Sequence, residues 1–346
     1  MVQTTPDVED RTLIHKQSVR NYQLPQADIG ETLARVRLHE VLGRHHDNNI
    51  FPLVGTGAQS FVFQVTPSVV GKVDKQQSDD HERLSRLHYQ QNCEFFFGDE
   101  RVVHSHYPPQ NGIVQAVHFQ KDISRIINHP DTLNIASGYE DEQMHDPRTY
   151  AAVNERAIFQ RGPFDPDAFK AIFRNKDMQK TFTLMKIEAL LRERLVQLFS
   201  QMSFFAQKTK QPVDCMAYKN LFVYPEADEW QFKMSDPQLL LDHKKLMRTG
   251  QELLEYFSKG GDAWNDDMLV HLINYINFVR FVNGFADLLG LDPEEHITVP
   301  SMEVHWEKLQ WLLYNFIQRR KGEKKSTDSS VSSQAATIIR QNDLAA

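Results

Sequence analysis

The sequence predicts an α+β protein with two lobes, a β-rich lobe followed by a helical lobe. Residues 51–73 are β-branched, aromatic and glycine-containing, which is typical of strands joined by turns. From Phe182 onwards, apolar residues recur at the spacing of amphipathic helices. A chain of 346 residues is long enough to bury a sizeable core in two lobes or in one large domain.

The composition narrows the class of protein. Apolar residues make up 40% and charged residues 25% of the chain, as in folded proteins. The net charge of −7 gives no general reason to expect nucleic-acid binding. The two cysteines, Cys93 and Cys215, cannot form a disulfide framework and lack the spacing of a CxxC metal site. This cysteine usage fits a reducing compartment.

The apolar stretches favour a cytoplasmic protein without a membrane span. The N-terminus has no basic segment followed by an apolar run, so no secretory signal is predicted. Residues 269–291 are the most apolar stretch, but polar and charged side chains interrupt them too often for a lipid-spanning helix. The polar C-terminal tail is also compatible with delivery of the protein as a secreted bacterial effector.

In the first half, a helix is predicted over residues 29–42. Its apolar face is expected to contain Ile29, Leu33, Val36 and Leu42. The further predicted elements are strands at 62–65 and 69–73 joined by a turn at 66–68, a helix from an N-cap at 78–80 to about Asn92, and strands at 93–97 and 112–119.

In the second half, helices dominate. Residues 122–180 carry no clear pattern. The predicted elements are a long helix at 182–207, a hairpin of strands at 220–224 and 230–234, and helices at about 239–258, 267–290 and 302–320. The resulting domains are an N-terminal extension with one helix (1–45), a β-rich N-lobe (46–121), a helical C-lobe containing the hairpin (122–320) and a disordered polar tail (321–346).

A glycine-containing turn is the first candidate for chemistry. Gly55 and Gly57 lie between two β-like runs, and Ser60 follows them. Glycine lacks the Cβ that would keep a triphosphate away from the backbone, although an ordinary hairpin turn has the same pattern. A Rossmann motif is disfavoured because a strand follows the glycines, and no GK[ST] of a Walker A motif occurs.

Lys72 is the second candidate, because a lysine within an apolar strand needs a reason to be there. A phosphate partner would supply that reason. An edge strand with Lys72 pointing to water is the alternative, and Lys75 is a rival lysine three residues later. Glu82, on the next predicted helix, either pairs with the lysine or lies on a solvated face.

The third candidate is the segment 214–223, DCMAYKNLFV, together with Asp236 sixteen residues after Asn220. Asn220 and Asp236 flank the predicted hairpin, so their oxygens are placed to meet one hard cation. Mg²⁺ prefers a few such oxygens together with substrate phosphates. Turn or capping chemistry is the alternative for either residue taken alone.

In their order along the chain and in their local residue types, these segments resemble the protein-kinase-like superfamily over residues 50–240. GTGAQSFVF resembles the glycine-rich loop, Lys72 the strand lysine, DCMAYKNLFV the catalytic loop, and MSDP stands in place of DFG. The resemblance implies a two-lobed kinase-like fold with ATP and Mg²⁺ bound between the lobes.

The resemblance also implies roles for individual residues. Gly55, Gly57 and Ser60 would belong to the nucleotide-binding loop. Lys72 would contact the α- and β-phosphates, and Glu82 would hold Lys72. Asn220 and Asp236 would bind Mg²⁺, and Asp214 would act as the catalytic base toward an unknown acceptor, a protein or a small molecule.

The chain departs from the kinase pattern at the base. The aspartate of that pattern lies five residues before the asparagine, where this chain has Cys215, and Asp214 is one residue earlier. Neither HRD nor APE occurs. Such losses are typical of divergent bacterial kinase-like proteins, small-molecule kinases and pseudokinases. A nucleotide-binding or protein-interaction module without phosphoryl transfer is therefore the alternative, and nucleotide transfer is a third possibility.

Overall fold

The chain forms two compact units. The first contains the described residues up to 91 together with 103–125, and the second contains 92–102 and the described residues from 126 onwards. Both units contain helices and strands, so the predicted α+β class is confirmed. The computed structural model describes residues 29–42, 51–56, 60–108, 114–136, 153, 156, 162–173, 175–215, 220–235, 246–259, 261, 265–299, 312, 315, 316 and 319.

The first unit is built on an antiparallel sheet of five strands in the order β1-β2-β3-β5-β4. The predicted strands on either side of the turn at 66–68 are confirmed, because β2 and β3 pair across it. The elements in chain order are α1 (Ile29–Val41), β1 (Leu53–Thr56), β2 (Ser60–Thr66), β3 (Val69–Ser78), α2 (Asp80–Phe97), β4 (Ser105–His106) and β5 (Val114–Lys121).

Helix α1 packs on one face of this sheet through a face other than the predicted one. Leu33 and Val36 are 57% and 37% exposed, whereas Ala34 and Leu38 are fully buried. The reason lies in the sheet: Leu38 Cδ1 lies only 3.0 Å from the point that a Cβ on Gly71 would occupy. Glycine therefore makes room for Leu38, and the small Ala34 allows the helix to approach closely.

Helix α2 is longer than predicted. Asp79 caps it by accepting a hydrogen bond from the Glu82 N–H at 2.8 Å, which confirms the predicted N-cap region. The prediction of a strand at 93–97 is wrong, because α2 continues to Phe97. Its buried side chains at this end, Cys93 and Phe97, are four residues apart and so share one helical face.

The second unit contains the three-stranded sheet β6-β7-β8, in which β7 and β8 form the predicted hairpin. Short helices and one short strand occupy parts of 122–180, where no pattern was evident. The remaining elements are a 3-10 turn (Asp99–Arg101), α3 (Ser124–Ile127), β6 (Leu133–Asn134), α4 (Pro166–Ala171), α5 (Lys176–Leu184), α6 (Ala189–Thr209), β7 (Leu221–Glu226), β8 (Glu229–Met234), α7 (Leu246–Ser258), α8 (Asp266–Leu289) and a second 3-10 turn (Pro293–Glu295).

The helix predicted over 182–207 is wrong as a single element. Helix α5 ends at Leu184 and α6 begins at Ala189, with a turn between them. Ile187, which the helical spacing placed on the buried face, lies in this turn and is 75% exposed. Apolar residues at helical spacing thus continue across the turn between two separate helices, because both helices bury apolar side chains near that turn.

Of the other predicted helices in the second half, one is confirmed and two are described only in part. Helix α8 confirms the helix predicted at 267–290. Helix α7 begins at Leu246, and the earlier part of the helix predicted at 239–258 lies outside the described residues. Of the helix predicted at 302–320, only residues 312, 315, 316 and 319 are described, and all four are helical. The predicted extension before residue 29 and the predicted tail 321–346 lie outside the described residues.

Helix α8 is the centre of the second unit. It is buried on almost all sides from Leu269 to Leu289, and aromatic rings surround its second half. Phe199 of α6 stacks on Phe285 with ring centroids 4.1 Å apart. No helix within the described ranges is both long and apolar enough to cross a membrane.

Candidate functional site

Lys72 and Asp74 lie on the same face of β3. The pairing of β3 with β2 is regular here, with Lys72 opposite Val62 and Asp74 opposite Ser60. Because side chains alternate along a strand, Val73 points to the other face, where it is fully buried in the core beneath α1. Lys72 is half-buried, and Asp74 is only 4% exposed.

A buried arginine on α2 binds the carboxylate of β3. Arg86 Nη1 donates to Asp74 Oδ2 at 2.5 Å, and Arg86 Nη2 donates to Glu82 Oε1 at 2.7 Å. The Arg86 and Asp74 side chains are 7% and 5% exposed. Burial alone would lower the pKa of Arg86, but the negative charges of Asp74 and Glu82 outweigh it and the pKa is raised. The guanidinium therefore stays charged.

Further polar contacts lie on this face, and one of them joins α2 to the sheet. Gln90 Oε1 accepts a hydrogen bond from the Ser105 N–H at 2.9 Å, and Gln120 Nε2 donates to Ser105 Oγ at 2.6 Å. His118 is opposite Lys72 on β5, is 1% exposed and stacks against Tyr107 with centroids 5.0 Å apart. Directional contacts of this kind set one orientation of α2 on the sheet.

The sequence located Lys72 but missed the buried ion pair that Asp74, two residues later on β3, forms with Arg86. Glu82 lies on the helix after β3, as predicted, and its carboxylate accepts a hydrogen bond from Arg86 one turn later. Asp74 and Arg86 are twelve residues apart in the chain and meet only in the folded unit. The available signals were an aspartate inside an apolar strand and an arginine four residues after Glu82.

Gly55, predicted in a turn, lies within β1, and the segment after it leads to β2. Gly55 pairs with Val62 at a register shift, and Ser60 begins β2. A Cβ on Gly55 would meet Val62 at 3.7 Å, an ordinary van der Waals contact. Packing among the described residues thus does not require glycine at position 55. Gly57 lies outside the described residues.

In the second unit, Asp214 occupies a tight turn before the hairpin. The Cys215 N–H donates to the Val213 carbonyl at 2.8 Å, which makes Asp214 the central residue of a three-residue turn. Val213 and Cys215 are 1% and 0% exposed, whereas Asp214 is half-buried. Of the two rivals for the base position, the aspartate is therefore the one that solvent can reach.

Asn220 lies at the open end of the β7–β8 hairpin. The Ser235 N–H donates to the Asn220 carbonyl at 2.9 Å, so the ladder of the hairpin extends one residue beyond the two strands. Asn220 is half-buried. Asp236 follows Ser235 directly in the chain and lies outside the described residues.

Within the part of the chain that the structure describes, no group of three or more His, Cys, Asp or Glu side chains is arranged to hold a metal ion. A cavity of about 270 Å³ does occur in the second unit, between the end of α6 and α7. Lys208, Lys210, Gln251 and Thr298 contribute to its lining, whereas none of the candidate residues does.

Comparison with known proteins does not identify a family for this chain. No protein-family model matches the chain, and no curated protein matches it.

Proposed function

We propose that the protein is an ATP- and Mg²⁺-dependent phosphotransferase with a two-lobed, protein-kinase-like fold. The observation that carries the proposal is the topology of the first unit. Strand β1 with Gly55, strand β3 with Lys72 and helix α2 follow one another in the chain, and the sheet has the order β1-β2-β3-β5-β4. A glycine-containing loop, a lysine on the third strand and an acidic helix residue are the parts with which kinases hold ATP phosphates.

The proposed phosphate contacts fit the chemistry of the described residues. Lys72 places an ammonium in a half-buried position on β3, where a phosphate is a suitable partner. Packing among the described residues does not require glycine at position 55, which supports the proposal that a ligand approaches the backbone there. Gly57 and Ser60 complete the proposed loop.

Asn220 and Asp236 are the proposed magnesium ligands. The amide oxygen of Asn220 and the carboxylate of Asp236 are hard oxygen donors, which suit Mg²⁺ together with phosphate oxygens. The hydrogen bond between Ser235 and Asn220 brings the residue before Asp236 next to Asn220. When bound, Mg²⁺ would neutralise part of the phosphate charge.

Asp214 is the proposed base. In the transfer, the acceptor hydroxyl oxygen forms a bond to the γ-phosphorus, the bond between the γ-phosphorus and the β–γ bridging oxygen breaks, and ADP leaves. Asp214 accepts the hydroxyl proton. Its half-buried position beside the buried Cys215 favours the aspartate for this role. The acceptor is a protein or a small molecule.

A pseudokinase-type module is the second candidate. Cys215 occupies the sequence position of the kinase base, five residues before Asn220, and its side chain is fully buried. A buried thiol at this position does not take a proton from an acceptor hydroxyl. This candidate binds nucleotide or a protein partner without phosphoryl transfer.

Mass spectrometry of reaction products separates these candidates. The purified protein is incubated with ATP and Mg²⁺, alone and with protein and metabolite fractions as acceptors. We expect an addition of about 80 Da, one phosphoryl group, with wild type and with the control Asp228→Ala, which changes an exposed aspartate of the hairpin turn.

Asp236→Ala is expected to abolish this addition, because it removes a proposed metal ligand. An addition the size of AMP would instead indicate nucleotide transfer. ATP binding by wild type without any transfer would favour the pseudokinase.

A further inference from the structure

We propose that the cavity between the end of α6 and α7 binds a small organic phosphate through Lys208 and Lys210. The cavity lies in the second unit, and none of the described residues that line it belongs to the proposed nucleotide site. The inference therefore goes beyond the proposed function and is tested separately from it.

The size of the cavity limits the ligand. Its volume of about 270 Å³ lies just below the range of about 300–1,000 Å³ that is usual for pockets holding drug-sized ligands. This volume suits a phosphate group on a short carbon skeleton.

Hydrogen bonds fix the wall of the cavity that contains Ile297 and Thr298. The Ile297 N–H donates to Asn283 Oδ1 of α8 at 2.8 Å, and Asn283 Nδ2 donates back to the Ile297 carbonyl at 3.1 Å. Gln207 Nε2 of α6 donates to the His296 carbonyl at 2.6 Å. This wall is thus attached to two helices, so the cavity is already formed without a ligand, as binding pockets usually are.

The lining of the cavity is positively charged. Lys208 lies in the last turn of α6, Lys210 follows the helix directly, and none of the described lining residues is Asp or Glu. Lys208 Nζ lies 5.4 Å from the centroid of the Phe204 ring, a contact that supplies no oxygen acceptor for its N–H groups. Two ammonium groups beside one cavity, without a carboxylate from the described lining, favour an anionic ligand.

Lys210 occupies a backbone position where glycine is the usual residue. Its φ of 58° and ψ of 27° lie in the left-handed region, in which its N–H caps α6 by donating to the Ala206 carbonyl. Glycine adopts this conformation without the steric cost that a Cβ adds. Lysine at this position therefore gives up stability, and we attribute its presence to the ammonium that it carries beside the cavity.

The other lining residues suit a phosphate ester better than a bare ion. Gln251 and Thr298 carry an amide and a hydroxyl, which can donate to phosphate oxygens. Ala206, Met247 and Ile297 are buried and offer apolar surface to a short carbon skeleton. A phosphate monoester carries a charge of about −1.5 to −2 at pH 7, which two ammonium groups balance. Lysine binds phosphate as a point charge, whereas the fork of an arginine suits a planar carboxylate better.

The test uses the full-length protein without nucleotide, and glycerol 3-phosphate is the probe. The protein is treated with an amine-acylating reagent at constant pH and ionic strength, and peptide mass spectrometry follows the acylation rate of individual lysines. At a probe concentration ten times the Kd, we expect acylation of Lys208 and Lys210 to slow about tenfold, because only the unliganded protein reacts. Lys186, an exposed lysine in the turn before α6, should react at an unchanged rate.

Calorimetric titration of lysine variants gives an independent measurement. Lys208→Met and Lys210→Met are each expected to weaken binding of glycerol 3-phosphate about tenfold, because each removes a charge-assisted hydrogen bond to phosphate. Lys186→Met is the matched control, since it removes the same charge near the opposite end of α6, and it should bind as wild type does.

Lys210→Gly separates a binding role of this lysine from a structural one. Glycine fits the left-handed cap better, so this variant is expected to be more resistant to denaturant than wild type. Its affinity for glycerol 3-phosphate is nevertheless expected to be as low as that of Lys210→Met. Wild-type affinity in Lys210→Gly would show that the lysine serves only the helix end, and would overturn the inference.

The remaining outcomes are equally decisive. Absence of glycerol 3-phosphate binding, or protection confined to lysines elsewhere in the chain, would overturn the inference. Equal affinity for inorganic phosphate and glycerol 3-phosphate would overturn the assignment to an ester. Because no step uses ATP, a wild-type protein that binds no ATP but binds glycerol 3-phosphate through Lys208 and Lys210 would contradict the proposed function and support this site.

Discussion

Replacing Asp214 by asparagine is expected to lower the rate of γ-phosphate transfer by about 10²–10⁴-fold while ATP binding stays at the wild-type level. Asparagine has nearly the same shape but cannot accept the proton of the acceptor hydroxyl, and a general base contributes about this factor. Asp214 is the half-buried centre of a tight turn whose neighbours are buried, so the substitution is not expected to disturb the fold. The measurement is the initial rate of transfer at saturating ATP and Mg²⁺.

Cys215→Ala is the matched control for this prediction. It changes the adjacent, fully buried residue and removes one sulfur atom from the interior, which costs about 1 kcal/mol of stability. We expect its transfer rate to remain within about twofold of wild type. Full activity of Asp214→Asn together with loss of activity in Cys215→Ala would show that the base has been assigned to the wrong residue.

Gly284→Ala is expected to lower the free energy of unfolding by up to about 2 kcal/mol. Gly284 lies in the buried part of α8, and a Cβ there would lie 2.6 Å from Cδ2 and 2.8 Å from Cζ of Phe169 on α4. Overpacking of a filled core costs about 1–3 kcal/mol, whereas alanine gains about 1 kcal/mol over glycine in a helix. The new Cβ would clash with a buried ring, so the cost of overpacking exceeds the gain in helix propensity. Denaturant unfolding measures it.

The double variant with Phe169→Leu is the control for this prediction. Phe169 is fully buried against Phe173 and Phe285, with ring centroids 5.1 and 5.6 Å away. A leucine there leaves space beside position 284, so Gly284→Ala should cost less in that background than in wild type. An equal or greater stability of Gly284→Ala in the wild-type background would contradict the packing described for α8.

The elements that the sequence predicted well are those whose signals are local. The turn at 66–68 and the hairpin around 225–228 combine turn-forming residues with flanking β-branched or aromatic residues, and both are present in the structure. The C-terminal part of α2 was misassigned because its aromatic residues 95–97 have strand propensity, whereas burial along one helical face decides the outcome. The buried face of α1 depends on Gly71 in the sheet, which no periodicity of α1 contains.

In the candidate site, too, the residues with local signals were predicted and those that depend on distant partners were not. Neighbouring residues in the sequence were enough to predict Lys72 on a strand and Asn220 directly before a strand. The structure places Lys72 on β3 and Asn220 at the end of the hairpin. The Asp74–Arg86 pair was not predicted, because it joins a strand to a helix and the signal at each residue does not identify its partner. Long-range ion pairs of this kind depend on which elements the fold brings together, so only the three-dimensional structure reveals them.

Calorimetric titration of the wild-type protein with ATP, in the presence and absence of Mg²⁺, tests the central claim most directly. We expect saturable binding with a Kd between about 1 μM and 1 mM, the range of enzyme–substrate affinities. The binding should weaken strongly without Mg²⁺ and in Lys72→Met, and Lys121→Met, an exposed lysine of the same sheet, should bind as wild type does. Absence of ATP binding by the folded wild-type protein, or binding that neither Mg²⁺ nor Lys72 affects, would contradict the account.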